Sequence, residues 1–213
     1  MQVKPEQSAP SRIGIFGGTF DPVHVGHLVA AVNAKQGAKL DKVLLVVANI
    51  PWQKEHTRVV SPAHLRYSLV QAAVAGVEGL EACDIEIRRG GQSFTIDTVL
   101  DTARDYPNSE LFLIVGADAA MGISSWERSD KLAELVTLVV VNRPGTAMEV
   151  DLDQRWHTLL VEVPAIDISS TDIRARVKDG RPLDYILTRE TIEFIRAAGL
   201  YREDVGDGSR GKK

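Results

Sequence analysis

Two histidines three residues apart, His24 and His27, follow the glycine-bearing turn Gly17-Gly18-Thr19-Phe20-Asp21-Pro22. Residues at that spacing share a helix face, so both imidazoles would meet one ligand. Glycine lets backbone approach a ligand closely. A helix N-terminus adds unpaired amides and the positive end of its dipole. The combination suits a polyphosphate whose charge grows during reaction. Gly26, between the histidines, leaves room for something flat or bulky against the helix. Far along the chain, Ser169-Ser170-Thr171-Asp172-Ile173-Arg174 places three hydroxyls before an acid and an arginine. A serine there suits a helix cap, and Arg174 suits a phosphate fork; the two roles are compatible.

Other chemistries fit less well. A histidine pair can bind zinc, but no spacing of His56, His64, His157 or the carboxylates completes a ligand set, so no metal ligand is assigned. The dinucleotide order G-x-G-x-x-G is absent from the first turn. A loose phosphate-loop match at residues 206–213 lacks its Ser/Thr and follows no strand. The single cysteine, Cys83, excludes an internal disulfide framework.

These residues must be positioned by a scaffold. The chain has 213 residues, 44% hydrophobic and 25% charged, which is ordinary globular composition rather than a disordered or fibrous one. Apolar runs at 12–16, 43–48, 80–87, 111–115, 137–141 and 159–163 read as strands. Helical patterns cover 24–36, 61–76, 95–106 and much of 169–201, with a break near Gly180-Arg181-Pro182. Ser61-Pro62 looks like a helix start. Such alternation predicts an α/β, Rossmann-like doubly wound parallel sheet with a small C-terminal helical part. Ligands in such sheets bind beyond the carboxyl ends of the strands, where the loops just named lie. A flexible stretch is expected over 1–11, one domain over 12–201 and a disordered, charged tail over 202–213.

The net charge of −4 gives no general affinity for nucleic acid. No apolar run is long enough to cross a bilayer, and the polar, proline-bearing start is no signal peptide. A cytoplasmic protein is expected, without a membrane or nucleic-acid partner; a homo-oligomer is compatible with the composition.

The run Gly17-Gly18-Thr19-Phe20-Asp21-Pro22-x-His24-x-Gly26-His27 resembles the opening motif of the HxGH nucleotidyltransferase superfamily, and within it the bacterial nicotinate-nucleotide adenylyltransferases. Residues 168–174 resemble that superfamily's I-S-S-T-x-I-R signature. Pro51-Trp52-Gln53-Lys54 resembles a loop whose lysine reaches phosphate, in the form of the actinobacterial branch. Residues 91–98 resemble the S-Y/F-T-x-D-T segment, Gly116-Ala117-Asp118 a G-x-D motif, and Arg143-Pro144-Gly145 a loop near adenine. The resemblance spans residues 13–201.

It implies adenylyl transfer from ATP to nicotinate mononucleotide, with Mg²⁺ carried mainly by the phosphates. His24, His27, Lys54 and Arg174 would be catalytic. Gly17, Gly18, Thr19, Phe20, Gly26, Gly116, Asp118, Ser169, Ser170 and Thr171 would bind ATP. Thr95 and Trp126 would receive the pyridine nucleotide, with donors around its carboxylate and no acidic side chain facing the ring. Asp97 and Thr98 would brace their helix. Nicotinamide mononucleotide or phosphopantetheine as acceptor, or a non-catalytic nucleotide-binding module, are the competing readings.

Overall fold

The computed structural model describes residues 11–51, 60–142 and 154–202. Lys54 and Arg143, with the two chain ends, lie outside them. Six strands form one parallel sheet: β1 (Arg12–Gly18), β2 (Lys42–Val47), β3 (Leu80–Cys83), β4 (Glu110–Gly116), β5 (Thr137–Asn142) and β6 (Thr158–Glu162). Their spatial order is β3-β2-β1-β4-β5-β6. Successive strands step outward from β1 in one direction, then from β4 in the other. The switch point lies between β1 and β4.

Side chains alternate along each strand and so divide two cores. Val43, Leu45 and Val47 of β2 join Phe112 and Ile114 of β4 on one face. Leu44 and Val46 join Leu113 and Val115 on the other. Val43 to Val47 are all at most 2% exposed, the continuous apolar signature of a strand covered on both sides. Burying each such side chain contributes about 1.5–3 kcal/mol.

The first face is covered by α1 (Val25–Gly37), α2 (Ala63–Val74), α7 (Ser170–Asp179) and α8 (Arg189–Ala198). α1 buries the small residues Ala31 and Ala34, which lets it lie close to the sheet. The second face is covered by α3 (Ile85–Arg89), α4 (Thr95–Asp105), α5 (Ala117–Met121) and α6 (Ser129–Leu135). Gly180 and Gly199 end α7 and α8 in left-handed conformation, the ordinary glycine stop.

Three expectations need correction. The run at 80–87 is not one strand: β3 ends at Cys83 and Ile85–Arg89 form a helical turn. Ile85 still reaches the second core, and Arg88 bonds back to Asp84 at 2.9 Å. A period-two pattern over so few residues cannot separate a strand from one helical turn. The stretch between β4 and β5 carries α5, a 3₁₀ turn (Ile123–Ser125) and α6, none expected from the sequence; each is too short to show a helical period. Ser61 does not cap α2. Pro62 stands at the N-cap without a side-chain bond, because the Ser61 carbonyl accepts from Arg66 at 2.7 Å.

Candidate active site

β1 ends at the switch point in Gly17 and Gly18, and β4 ends there in Gly116. A Cβ built on Gly17 or Gly116 would meet nothing within 4 Å, so both strand ends border open space. A pocket of about 180 Å³ is lined by Gly17, Gly18 and Thr19 of the first turn together with Phe94, Thr95 and Trp126.

The first turn and the start of α7 come together. His24 is the N-cap of α1. Its backbone N–H donates to Nδ1 of His27 at 3.2 Å. Nδ1 therefore accepts, which leaves Nε2 as the ring's donor position. The two imidazoles stack with centroids 3.7 Å apart, and Phe20 meets His27 edge-on at 5.1 Å. His24 is only 8% exposed. Burial pushes it down to about 4, so it is neutral at physiological pH and two adjacent positive rings are avoided. A Cβ at Gly26 would lie 3.1 Å from Nδ1 of His24, so the glycine gives that ring room.

The turn between β1 and α1 is held from distant parts of the chain. Phe20 takes a left-handed φ of 49° and buries its ring in the core at 2% exposure, leaving only backbone for a ligand. Gly18 must be small because its Cβ would strike that ring at 2.7 Å. Arg174 on α7 donates to the Asp21 carbonyl at 2.8 Å and to Oγ1 of Thr171 at 3.2 Å. Ser170 donates to the Pro22 carbonyl at 2.9 Å. Ser169 caps α7, accepting from the Asp172 amide at 3.1 Å. The two strongest motifs, 148 residues apart at Ser170 and Pro22, thus touch.

Three further residues belong to this framework and carry no motif signal. Tyr201 donates to Oδ1 of the buried Asp21 at 2.8 Å. Burial, then the Asp21 charge beside it, push its phenol well up, so it stays a donor. Arg66, 1% exposed, donates to the carbonyls of Ser61, Thr19 and Asn49 at 2.7, 2.8 and 3.1 Å. Asn49 in turn donates its backbone amide to Oγ of Ser93 at 2.9 Å and its side-chain amide to the Gly91 carbonyl at 2.9 Å. A continuous polar chain therefore joins the β1 turn to the loop before α4. From sequence, Arg66 reads only as one more charge in a helical pattern.

On the other side, Thr95 begins α4, whose N-cap Phe94 provides no side-chain bond. Thr95 and the half-buried Trp126 line the same pocket, as expected. Asp97 pairs with Arg128, the N-cap of α6, so it ties α4 to the segment carrying Trp126. Thr98 donates to Oε1 of Glu86 at 2.5 Å. Two acids, Glu86 and Glu127, line this pocket. Glu86 escaped notice because its stretch read as strand. Gly116 caps α5, and Asp118 lies exposed in the first turn of that helix, outside the pocket lining.

Comparison with known proteins fits this arrangement. The cytidylyltransferase-like family model matches residues 15–176. A protein from Saccharopolyspora erythraea described as a probable nicotinate-nucleotide adenylyltransferase is 42% identical over 90% of each chain. One of the same description from Thermus thermophilus is 42% identical over 90% of this chain and all of its own. The chain belongs to the nicotinate-nucleotide adenylyltransferases of the cytidylyltransferase-like family. Among solved structures, Plasmodium falciparum nicotinic acid mononucleotide adenylyltransferase complexed with NaAD superposes with a TM-score of 0.72 at 19% identity, over 90% of this chain and 97% of that one. That likeness bears on the fold. Among the described residues no helix is long and apolar enough to cross a membrane.

Proposed function

We propose that this adenylyltransferase couples ATP to nicotinate mononucleotide, giving nicotinate adenine dinucleotide and pyrophosphate. The observation that carries the reading is the stacked His24–His27 pair at the β1 switch point, with Arg174 anchored to the same turn. Acceptor phosphate is already an anionic nucleophile, so no protein nucleophile is required. It attacks the α-phosphorus of ATP in line with departing pyrophosphate. The obstacle is repulsion between two anions, roughly 4 kcal/mol for unit charges at 4 Å and an effective dielectric near 20. Positioning and fixed donors overcome it.

In this reading His27 donates from Nε2 to the α-phosphate as charge develops. His24, kept neutral by burial, positions the reactants. Backbone amides of Thr19 and Phe20, with Lys54 and Arg174, hold the phosphates, and Ser169, Ser170 and Thr171 present the start of α7. Gly116 and Asp118 face the nucleoside. Among the described residues no three His, Cys, Asp or Glu side chains cluster. Mg²⁺ would therefore take its ligands from phosphate oxygens and water, neutralising the leaving group. The nicotinate carboxylate would sit at Thr95 and the uncapped N-terminus of α4, with the ring against Trp126. The chain is assigned to the cytoplasm.

Pyrophosphate release from ATP, measured side by side with nicotinate mononucleotide, nicotinamide mononucleotide and phosphopantetheine, tests the assignment. The expected order puts nicotinate mononucleotide first by at least tenfold. Equal efficiency with the two pyridine nucleotides ends the acid-specific reading. The acidic pocket wall is the specific observation that keeps the amide in the assay.

A further inference from the structure

Glu86 is 6% exposed and lines the acceptor pocket. Its Oε1 accepts the Thr98 hydroxyl at 2.5 Å, while Oε2 is buried with no hydrogen-bond partner among the described residues. Leaving a buried carboxylate oxygen unpaired is costly, so the arrangement calls for an explanation. Structural bracing accounts for Oε1 alone. Arg89, which donates to the same Thr98 hydroxyl at 3.3 Å, spends its other nitrogen on Asp101 at 2.7 Å.

Placement supplies the explanation. The glycine turn Gly17–Thr19 and Glu86 line the same pocket, and Glu86 is bonded to Thr98 one helical turn beyond Thr95. The charged residues lining the pocket, among those described, are both acids. Glu127 is exposed and therefore screened; Glu86 is not. A pocket lined by both a glycine turn and a buried carboxylate is complementary to a dipolar ligand. A pyridine mononucleotide has that character: phosphate at one end, a ring nitrogen bearing positive charge at the other.

We propose that Glu86 is a specificity-determining residue that reads the positive charge of the acceptor's pyridinium ring. The inference rests on the proposed acceptor class and adds a property that carboxylate recognition at Thr95 does not supply. A neutral ring of the same shape would leave Oε2 uncompensated, so it should be refused even with carboxylate, ribose and phosphate all present. The Thr98 hydroxyl and Trp126 indole then orient, while the buried charge selects.

The test compares nicotinate mononucleotide with its reduced 1,4-dihydropyridine form, which differs mainly in ring charge. Wild-type kcat/KM should favour the oxidised acceptor by about tenfold or more. Glu86→Gln keeps shape and an acceptor for Thr98 while removing charge. It should shrink that preference at least fivefold, through acceptor KM, with ATP KM unchanged. An unchanged preference in Glu86→Gln, or none in the wild type, overturns the proposal. Equal loss on both acceptors would make Glu86 a brace only and also overturns it. If Glu86→Gln does not fold, Glu86→Met carries the comparison; failure of both to fold assigns Glu86 to structure and ends the idea. Should the wild type release no pyrophosphate with nicotinate mononucleotide, the acceptor reading fails separately. The ring-charge test then runs on oxidised and reduced nicotinamide mononucleotide.

Discussion

The two ends of the pocket are built differently. At the phosphate end, the turn between β1 and α1 is pinned through its backbone carbonyls by Arg66, Arg174 and Ser170, and through Asp21 by Tyr201. At the acceptor end, short helices present side chains, and the ties run between side chains: Thr98 to Glu86, Arg89 to Asp101, and Asp97 to Arg128. The phosphate end thus gains its geometry from preorganised backbone, which suits charge stabilisation at developing oxyanions. The acceptor end gains its selectivity from side-chain identity. If this contrast is right, changes at the first end should cost stability or turnover. Changes at the second should move acceptor KM.

Arg66→Met probes the phosphate end most severely. Three carbonyls in two loops lose their shared donor inside the protein. Breaking such a buried charged cluster costs about 3–5 kcal/mol, which for a chain of this size lowers the melting temperature by roughly 10 °C. A melting point within a degree or two of wild type would show that the turn holds without Arg66, and the contrast would collapse.

His27→Ala tests chemistry rather than stability. Loss of one fixed donor to the reacting phosphate should lower turnover about 10²–10³-fold with little change in acceptor KM. Near-normal turnover, with His24→Ala severely impaired, would exchange the two assignments.

The phosphate motifs were legible because their chemistry is local. A glycine turn, two imidazoles at helical spacing and a hydroxyl-rich helix start each declare themselves within a dozen residues. The strand-helix alternation was legible for a related reason: buried parallel strands are uninterrupted apolar runs. What stayed hidden depends on tertiary neighbours. Arg66 and Tyr201 look ordinary until the fold brings them to Thr19 and Asp21. The close fit of Gly26 against the His24 ring comes from the fold, which no spacing reveals. Glu86 stood in a pattern that alternates like a strand, and only the turn after Cys83 aims it at the pocket.

His24 offers a pH test of the phosphate end. Burial lowers its pKa from 6.5 to about 4, whereas the unfolded chain keeps the ordinary value. Between those two values the unfolded state binds the extra proton. Stability is therefore complete above about pH 6.5 and lost as pH falls towards 4, by about 3 kcal/mol in total. Urea melts of wild type and His24→Gln from pH 7 to pH 4 should differ by this slope. Matching slopes would mean that the ring is not held neutral in the folded protein. Bound ATP should flatten the wild-type slope, since phosphate favours the protonated ring.

The smallest expected effect sharpens the other side. Arg128 adopts a left-handed φ of 51° at the N-cap of α6 and pairs with Asp97 on α4. Both side chains are partly exposed, at 47% and 35%, so the pair contributes less than about 1 kcal/mol. Arg128→Gly removes the pair but also relieves backbone strain of about 1 kcal/mol, leaving stability close to wild type. The tether to the Trp126 segment is nevertheless gone. Acceptor KM should rise about threefold, within the energy of one such pair, and ATP KM should stay put. Arg128→Ala loses the pair and keeps the strain, so it should show the same KM change with a lower melting point. If instead ATP KM moves with acceptor KM in both variants, the two ends of the pocket are mechanically one unit, and selectivity at Trp126 cannot be adjusted without disturbing the phosphate grip.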